Sequence, residues 1–244
     1  MRLAALAPAL ALAALALTGC ETSAERSAKL EREVRAHLAA QPVQRGLQVT
    51  RQSTLVSVVR TQLVHGSEGS AAVVTLRNTS ATALREVPIE ITARDARGAT
   101  VYTNTAPGLA RSLTSVSALA PHGELTWVDD QIPAAGAPVS ILARVGQAPA
   151  VSGAIPALAA GGTRLFEDPT NGVGAEGDVA NRSNVTQREL VVYVTATRGG
   201  SIVAAGRAVL PIAPAGAPTR FQVFFIGNPQ GGRLDAAAPP STLR

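Results

Sequence analysis

The chain has 244 residues, a formal net charge of +5, 46% hydrophobic and 16% charged residues, and one cysteine. That balance excludes an intrinsically disordered chain, and a lone cysteine excludes an internal disulfide framework. With aromatics at 3%, a core must be built from Val, Leu, Ile and Ala. The arginines are scattered and not interleaved with aromatics, which points away from nucleic acid as a partner.

The chain opens MRLAALAPALALAALALTGC. Arg2 precedes an apolar run from Leu3 to Leu17 that carries Pro8 inside it. A spanning helix needs roughly 20 apolar residues, so this run reads as a secretory leader. Its end, Leu17-Thr18-Gly19-Cys20, resembles a bacterial lipobox. The resemblance implies cleavage before Cys20, a diacylglycerol on its thiol and an acyl chain such as palmitate on the new amine. Several acyl chains hold a protein durably where one is marginal. Residues 1–19 are therefore expected to be a lipoprotein signal peptide and Cys20 the lipidation site. The address would be the cell envelope: a bacterial membrane, the outer one if the organism has one, since Glu21 rather than Asp follows the cysteine. The plainer alternative is an ordinary signal peptide that contains a cysteine. Processing would leave 225 residues (244 less 19), a charge of +4 once Arg2 is gone, and no further thiol for catalysis or metal binding.

Next comes ETSAERSAKLEREVRAHLAAQP, in which Leu30, Val34 and Leu38 recur every fourth residue. Ser23 or Ser27 is placed to cap a helix over 24–40, and Pro42 follows its end. Three apolar residues make too thin a stripe for strong burial. Residues 20–45 are read as a partly helical, lipid-anchored stalk; a helix lying on the bilayer or pairing with a partner is the alternative.

From Gly46 the pattern turns to strands. Val87, Ile89, Ile91 and Ala93 alternate with Pro88, Glu90, Thr92 and Arg94, the period of a half-buried strand. The stretch NTSATALREVPIEITARD from Asn78 aligns without a gap on NRSNVTQRELVVYVTATR from Asn181, 103 residues on (181 less 78). Asn, Ser, the Arg-Glu pair and Thr-Ala coincide, and Leu190, Val192 and Val194 fall on the apolar face. LAPHGELTW, from Leu119, parallels IAPAGAPTRF, from Ile212. A repeat of this length is a whole domain. The expectation is an all-β chain with two tandem sandwich modules, 46–148 and 149–238. A Gly/Ala/Pro-rich hinge lies within 146–164, and residues 239–244 form a tail that is disordered or draped on the second module.

The order strand, N-x-S, alternating strand, Gly turn, strand, L-x-P-G, strand is similar to bacterial FxLYD-type domains and their immunoglobulin-like relatives. The likeness spans most of 70–145 and 173–235; the eponymous stretch would fall at Ile91–Asp95, which keeps only its Asp, and at Val194–Arg198, which lacks that too. It implies small β-sandwiches of exported, often lipid-anchored proteins, and no shared catalytic residues.

Candidate chemistry is sparse. His37, His65 and His122 stand in no metal-ligand spacing. The loop EDPTNGVGAEGD offers oxygen ligands at Asp168, Asn171, Glu176 and Asp178; they are weak calcium candidates because the spacing misses the EF-hand pattern and Asp-Pro and Asn-Gly are ordinary turn signals. Asp129-Asp130 is the other acidic pair. The chain lacks a G-x-S-x-G elbow, a P-loop and a dinucleotide fingerprint. Sequons at Asn78, Asn181 and Asn184 read as turn chemistry. Apolar residues on both faces near Phe224 and Ile226 suggest a strand covered by a loop or the other module, or else an exposed partner patch. The expected function is non-enzymatic, with no cofactor: an envelope lipoprotein presenting two modules for protein binding, adhesion or assembly. Its partners would be the membrane, through the lipid on Cys20, and an envelope protein or glycan. A small-ligand or metal-binding accessory lipoprotein is the alternative, and a hydrolase with an unrecognised site the third.

Overall fold

The computed structural model describes residues 46–243. The leader, Cys20 and the stalk lie outside the described residues. All the strands belong to one compact unit, Arg45–Arg244.

The first half contains β1 (Val56–His65), β2 (Gly69–Asn78), β3 (Leu84–Arg94), β4 (Thr100–Thr103), β5 (Ser115–Leu119), β6 (Glu124–Pro133) and β7 (Ser140–Val145). The second contains β8 (Leu158–Asp168), β9 (Gly172–Asn181), β10 (Gln187–Arg198), β11 (Ser201–Ala213), β12 (Pro218–Phe224), β13 (Ile226–Gly227) and β14 (Arg233–Ala237). They form four antiparallel sheets. Among the described residues the one helical segment is a 3-10 turn at Arg111–Leu113.

The alternation in β3 is realised as read. Val87, Ile89, Ile91 and Ala93 are fully buried, while the residues between them are half-buried or exposed. Each buried Val or Ile contributes about 1.5–3 kcal/mol. One irregularity precedes them. Leu84 and Val87 both point inward with two exposed residues between, Arg85 and Glu86. Glu86 takes a left-handed backbone there (φ 48), which switches the alternation while the pairing with β5 stays in register. Glu189 in β10 has the same φ, and the same burial pattern surrounds it.

Strand pairing runs in parallel through the two halves. β2 is flanked by β1 and β6, and β9 by β8 and β12. β3 carries β4 and β5 as well as β7, and β10 carries β11 and β14. Trp127 stands opposite Val74 and Phe221 opposite Gly177. The Asn turns coincide in detail. Asn78 Nδ2 donates to Thr82 O at 2.7 Å and Ala120 O at 3.0 Å, while its Oδ1 accepts from Ser80 N and Oγ. Asn181 Nδ2 donates to Val185 O at 2.9 Å and Ala213 O at 3.1 Å, and its Oδ1 accepts from Ser183 N and Oγ. Both asparagines are buried, at 0% and 2% exposure. Their amides therefore tie the turn to the neighbouring strand, and neither Nδ2 is open to modification.

One difference separates the halves. β11 runs unbroken along β10 for 13 residues, whereas its counterpart along β3 is split into β4 and β5 by residues 104–114. The gap leaves part of β3 without a strand partner, and buried backbone groups must find one. Asn104, fully buried, fills it: its Oδ1 accepts from Ile91 N at 2.8 Å, and its Nδ2 donates to Ile89 O and Leu113 O, both at 2.7 Å. The same insertion brings Ser112 O to the indole of Trp127, 3.0 Å from Nε1.

β10 buries both faces. Leu190, Val192 and Val194 join Val179, Phe221 and Val223 in the second half's core. Val191 and Tyr193, on the other face, join Val73, Val74, Trp127 and Val128 of the first. A strand apolar on both sides belongs in an inner layer, and here the layer beyond it is the β1-β2-β6 sheet. The larger core thus runs through the seam, with Ile202 and Ala205 of β11 also part of it. The connection between the halves differs from the flexible hinge suggested by composition. Its first part extends the β7 edge along β3: Gly146 N donates to Pro88 O at 2.9 Å, Arg85 N to Pro149 O at 2.9 Å, and Val151 N to Ala83 O at 2.8 Å. Residues 239–243 are likewise docked rather than disordered. Pro239 and Pro240 are buried, and buried Gln187 Oε1 accepts from Ser241 N at 2.9 Å and Thr242 N at 3.0 Å.

Candidate functional site

The seam is polar at its centre. β6 carries an extra residue against β2, since Ser70 faces Ile132 and Ala72 faces Asp129. Such a bulge re-aims side chains. Asp130 is turned to the second half, where its Oδ1 accepts from Arg207 Nε at 2.9 Å and its Oδ2 from Arg207 N at 3.2 Å. Arg207 also donates to Ser112 Oγ at 2.9 Å. The two side chains are only 8% and 18% exposed. Elsewhere across the seam Gln62 binds both the N–H and the C=O of Ile202, and Arg60 reaches Gly200 O at 2.9 Å.

Asp129, fully buried, accepts from Tyr102 O–H at 2.8 Å and from Gln131 N at 3.0 Å. Burial pushes its carboxyl up from 3.8 to about 6; the Gln131 and Tyr102 hydrogen bonds oppose the shift, neighbouring Asp130 adds to it, and Arg207 reduces it. Burial likewise raises Tyr102 and Tyr193 above the ordinary phenol range. A carboxyl that holds its proton more tightly when folded makes stability fall as pH rises between the two values. Asp129→Asn removes this titration. The stability of the parent relative to that variant should drop by about 2–3 kcal/mol from pH 4 to pH 7, as read by urea unfolding. Taking the difference cancels Asp168 and Glu176, whose carboxyls are held below their ordinary values. A flat difference would mean that the carboxylate is already compensated.

Next to this cluster lies a cleft of about 480 Å³ lined by both halves. Arg85 and Glu86 come from the β3 kink, Arg188 and Glu189 from the β10 kink, Arg111 and Ser112 from the insertion, Ser115 and Ser117 from β5, and Ser241 from the docked tail. Val191, Val209 and Leu243 make its apolar wall. Glu86 pairs with Arg111. Among the described residues, the side chains of Arg85, Arg188 and Glu189 have no ion pair. A non-glycine residue in the left-handed region costs about 1–2 kcal/mol, and both such glutamates face this cleft.

The residues singled out in the sequence are dispersed. Asp168 caps its own hairpin turn, accepting from Thr170 N at 2.9 Å and Asn171 N at 2.8 Å. Glu176 is 10% exposed at its side chain and is held by Arg164 and Arg220. Asp178 lies opposite Gly161 and Arg220 along β9. The acidic stretch is thus a turn followed by a strand, and its four ligand candidates do not converge. Ile226 packs against the first half's core and Phe225 against the second's, while Phe224 is 38% exposed with its ring edge-on to Phe166, centroids 5.5 Å apart. His65 Nδ1 bonds Ser70 Oγ at 3.0 Å, and His122 occupies a left-handed turn position. The seam cleft was not legible in the sequence as a site. Its one local signal was the Arg-Glu pair standing at the same place in both halves.

The sequence matches no protein-family profile and no curated protein.

Proposed function

We propose that the chain is a lipid-anchored bacterial envelope protein without catalytic activity. In this reading two immunoglobulin-like sandwich modules, one unit duplicated, act together as a single binding body for an envelope protein or glycan. The observation that carries it is a Leu-Thr-Gly-Cys boundary ahead of a body built of strands in two halves with the same pairing order. Two facing antiparallel sheets in each half fit a sandwich, and the FxLYD-type resemblance accords with that order. The matched Asn turns and left-handed glutamates, each 103 residues apart, support duplication. The acidic side chains speak for binding over catalysis: Asp129, Asp130 and Glu176 are engaged in contacts that hold the body together. One observation favours the small-ligand alternative, the cleft at the seam.

The test is cell fractionation with radiolabelled palmitate. The parent chain should carry label and sediment with membranes, and Cys20→Ser should lose both. An unlabelled parent, or a variant that stays in the membrane fraction, would remove the anchor. Crosslinking of the anchored chain, with Cys20→Ser as the mislocalised control, then identifies the partner.

A further inference from the structure

The seam cleft combines features that structural needs do not account for. The kinks in β3 and β10 bring Leu84 and Val87, and Leu190 in its turn, to the core face. Glycine would serve there with less strain, yet both kinks use glutamate and both place an arginine beside it. In the first half the carboxylate is engaged, because Glu86 meets Arg111 from the insertion. The second half lacks that insertion, and Glu189 keeps the left-handed conformation with no cation on its carboxylate among the described residues. Strain retained without an internal contact is the kind of outlier found where a ligand is held.

The lining defines the ligand's chemistry. Arg85 and Arg188 are exposed, approach from different halves, and make no ion pair among the described residues. Guanidinium groups favour carboxylate and phosphate oxygens, which they bind through paired N–H donors. Ser115, Ser117 and Ser241 already donate their hydroxyl protons to the carbonyls of Arg111, Pro239 and Arg188, so their oxygens, like the Glu189 carboxylate, are left to accept from a ligand's hydroxyls. Val191, Val209 and Leu243 provide an apolar wall for a ring or short carbon skeleton. The volume of about 480 Å³ suits a small molecule.

We infer that the cleft between the two Arg-Glu kinks binds a small anionic, hydroxyl-bearing molecule, a sugar acid or sugar phosphate, with its oxyanion between Arg85 and Arg188 and a hydroxyl on Glu189. The inference rests on the binding reading above but not on the anchor, so a failure of Cys20 lipidation leaves it standing. Both sources of the oxyanion share the same chemistry, and separate probes distinguish them.

The test is isothermal titration of the full-length chain in detergent with D-glucuronate, glucose 6-phosphate and D-glucose. At least one anionic sugar should bind saturably and at least about tenfold more tightly than glucose. Arg85→Gln and Arg188→Gln should each weaken that binding by about tenfold, and raised salt should weaken it further. Glu189→Gln should weaken it severalfold while leaving the preference for the anion intact. Both arginines are exposed, so these variants should melt with the parent, which separates loss of binding from loss of fold. Trp127, the chain's one tryptophan, donates to Ser112 O on the cleft wall and supplies a second readout by fluorescence. No saturable binding up to about 20 mM, equal affinity for glucose, or binding indifferent to both arginine changes would overturn the inference.

Discussion

Arg207→Met should destabilise the protein by about 3–5 kcal/mol, because it strands a carboxylate inside the seam. Asp130 is 18% exposed at its side chain, and Arg207 supplies both the guanidinium and the backbone N–H that it accepts from. Methionine keeps much of the aliphatic stem's packing, so the loss reports charge rather than volume. Adding Asp130→Asn to Arg207→Met should restore all but about 1–2 kcal/mol, since the pair's net worth is small once neither charge is left unpaired. Urea unfolding of the parent, the two single variants and the double variant closes the cycle. A cost below about 1 kcal/mol for Arg207→Met would show that water reaches Asp130 and that the seam is looser than its geometry.

The second large effect is expected at Asn104. Asn104→Leu preserves size but leaves Ile91 N–H, Ile89 C=O and Leu113 C=O without the partner each has now. An orphaned buried backbone group costs about 1–3 kcal/mol, so the sum should reach about 3–6 kcal/mol. Asn104→Asp should not rescue it, because a carboxylate accepts from Ile91 N but faces two carbonyl oxygens. The variant should also release the insertion's hold on Trp127 through Ser112 O, which shifts the indole's emission before global unfolding. Stability within about 1 kcal/mol of the parent would mean that water or a rearranged loop takes the place of the amide.

How much of this could be read beforehand follows from the range of each interaction. Period-two alternation is local, so the core face of β3 was visible in Val87, Ile89 and Ile91, and its counterpart in Leu190, Val192 and Val194. The Asn turns were visible as turn chemistry, because their contacts include residues two and four positions away, at Ser80 and Thr82 or Ser183 and Val185. Their burial was not visible, since it depends on segments 42 and 32 residues further along the chain, at Ala120 and Ala213. In the same way Val191 and Tyr193 announce that β10 has two apolar faces, but nothing local says that the first half's β1-β2-β6 sheet covers the second. Asp129-Asp130 stood out as an acidic pair and offered no sign of Arg207, 77 positions on. The break at residues 104–114 was hidden because Asn104 looks like any loop asparagine until the strand it completes is in place. The cleft needed all of these at once: two kinks, an insertion and a docked tail.

The first half's core extends across the seam onto β10 and β11, so the two halves should open together. Native-state hydrogen exchange at increasing urea measures this strand by strand. Amides of β2 and of β10 should converge on the same opening free energy, and Arg207→Met should lower both by the same amount. If β8–β12 instead open several kcal/mol below β1–β6, with the Arg207 change confined to one half, the modules are independent and the shared core is contradicted.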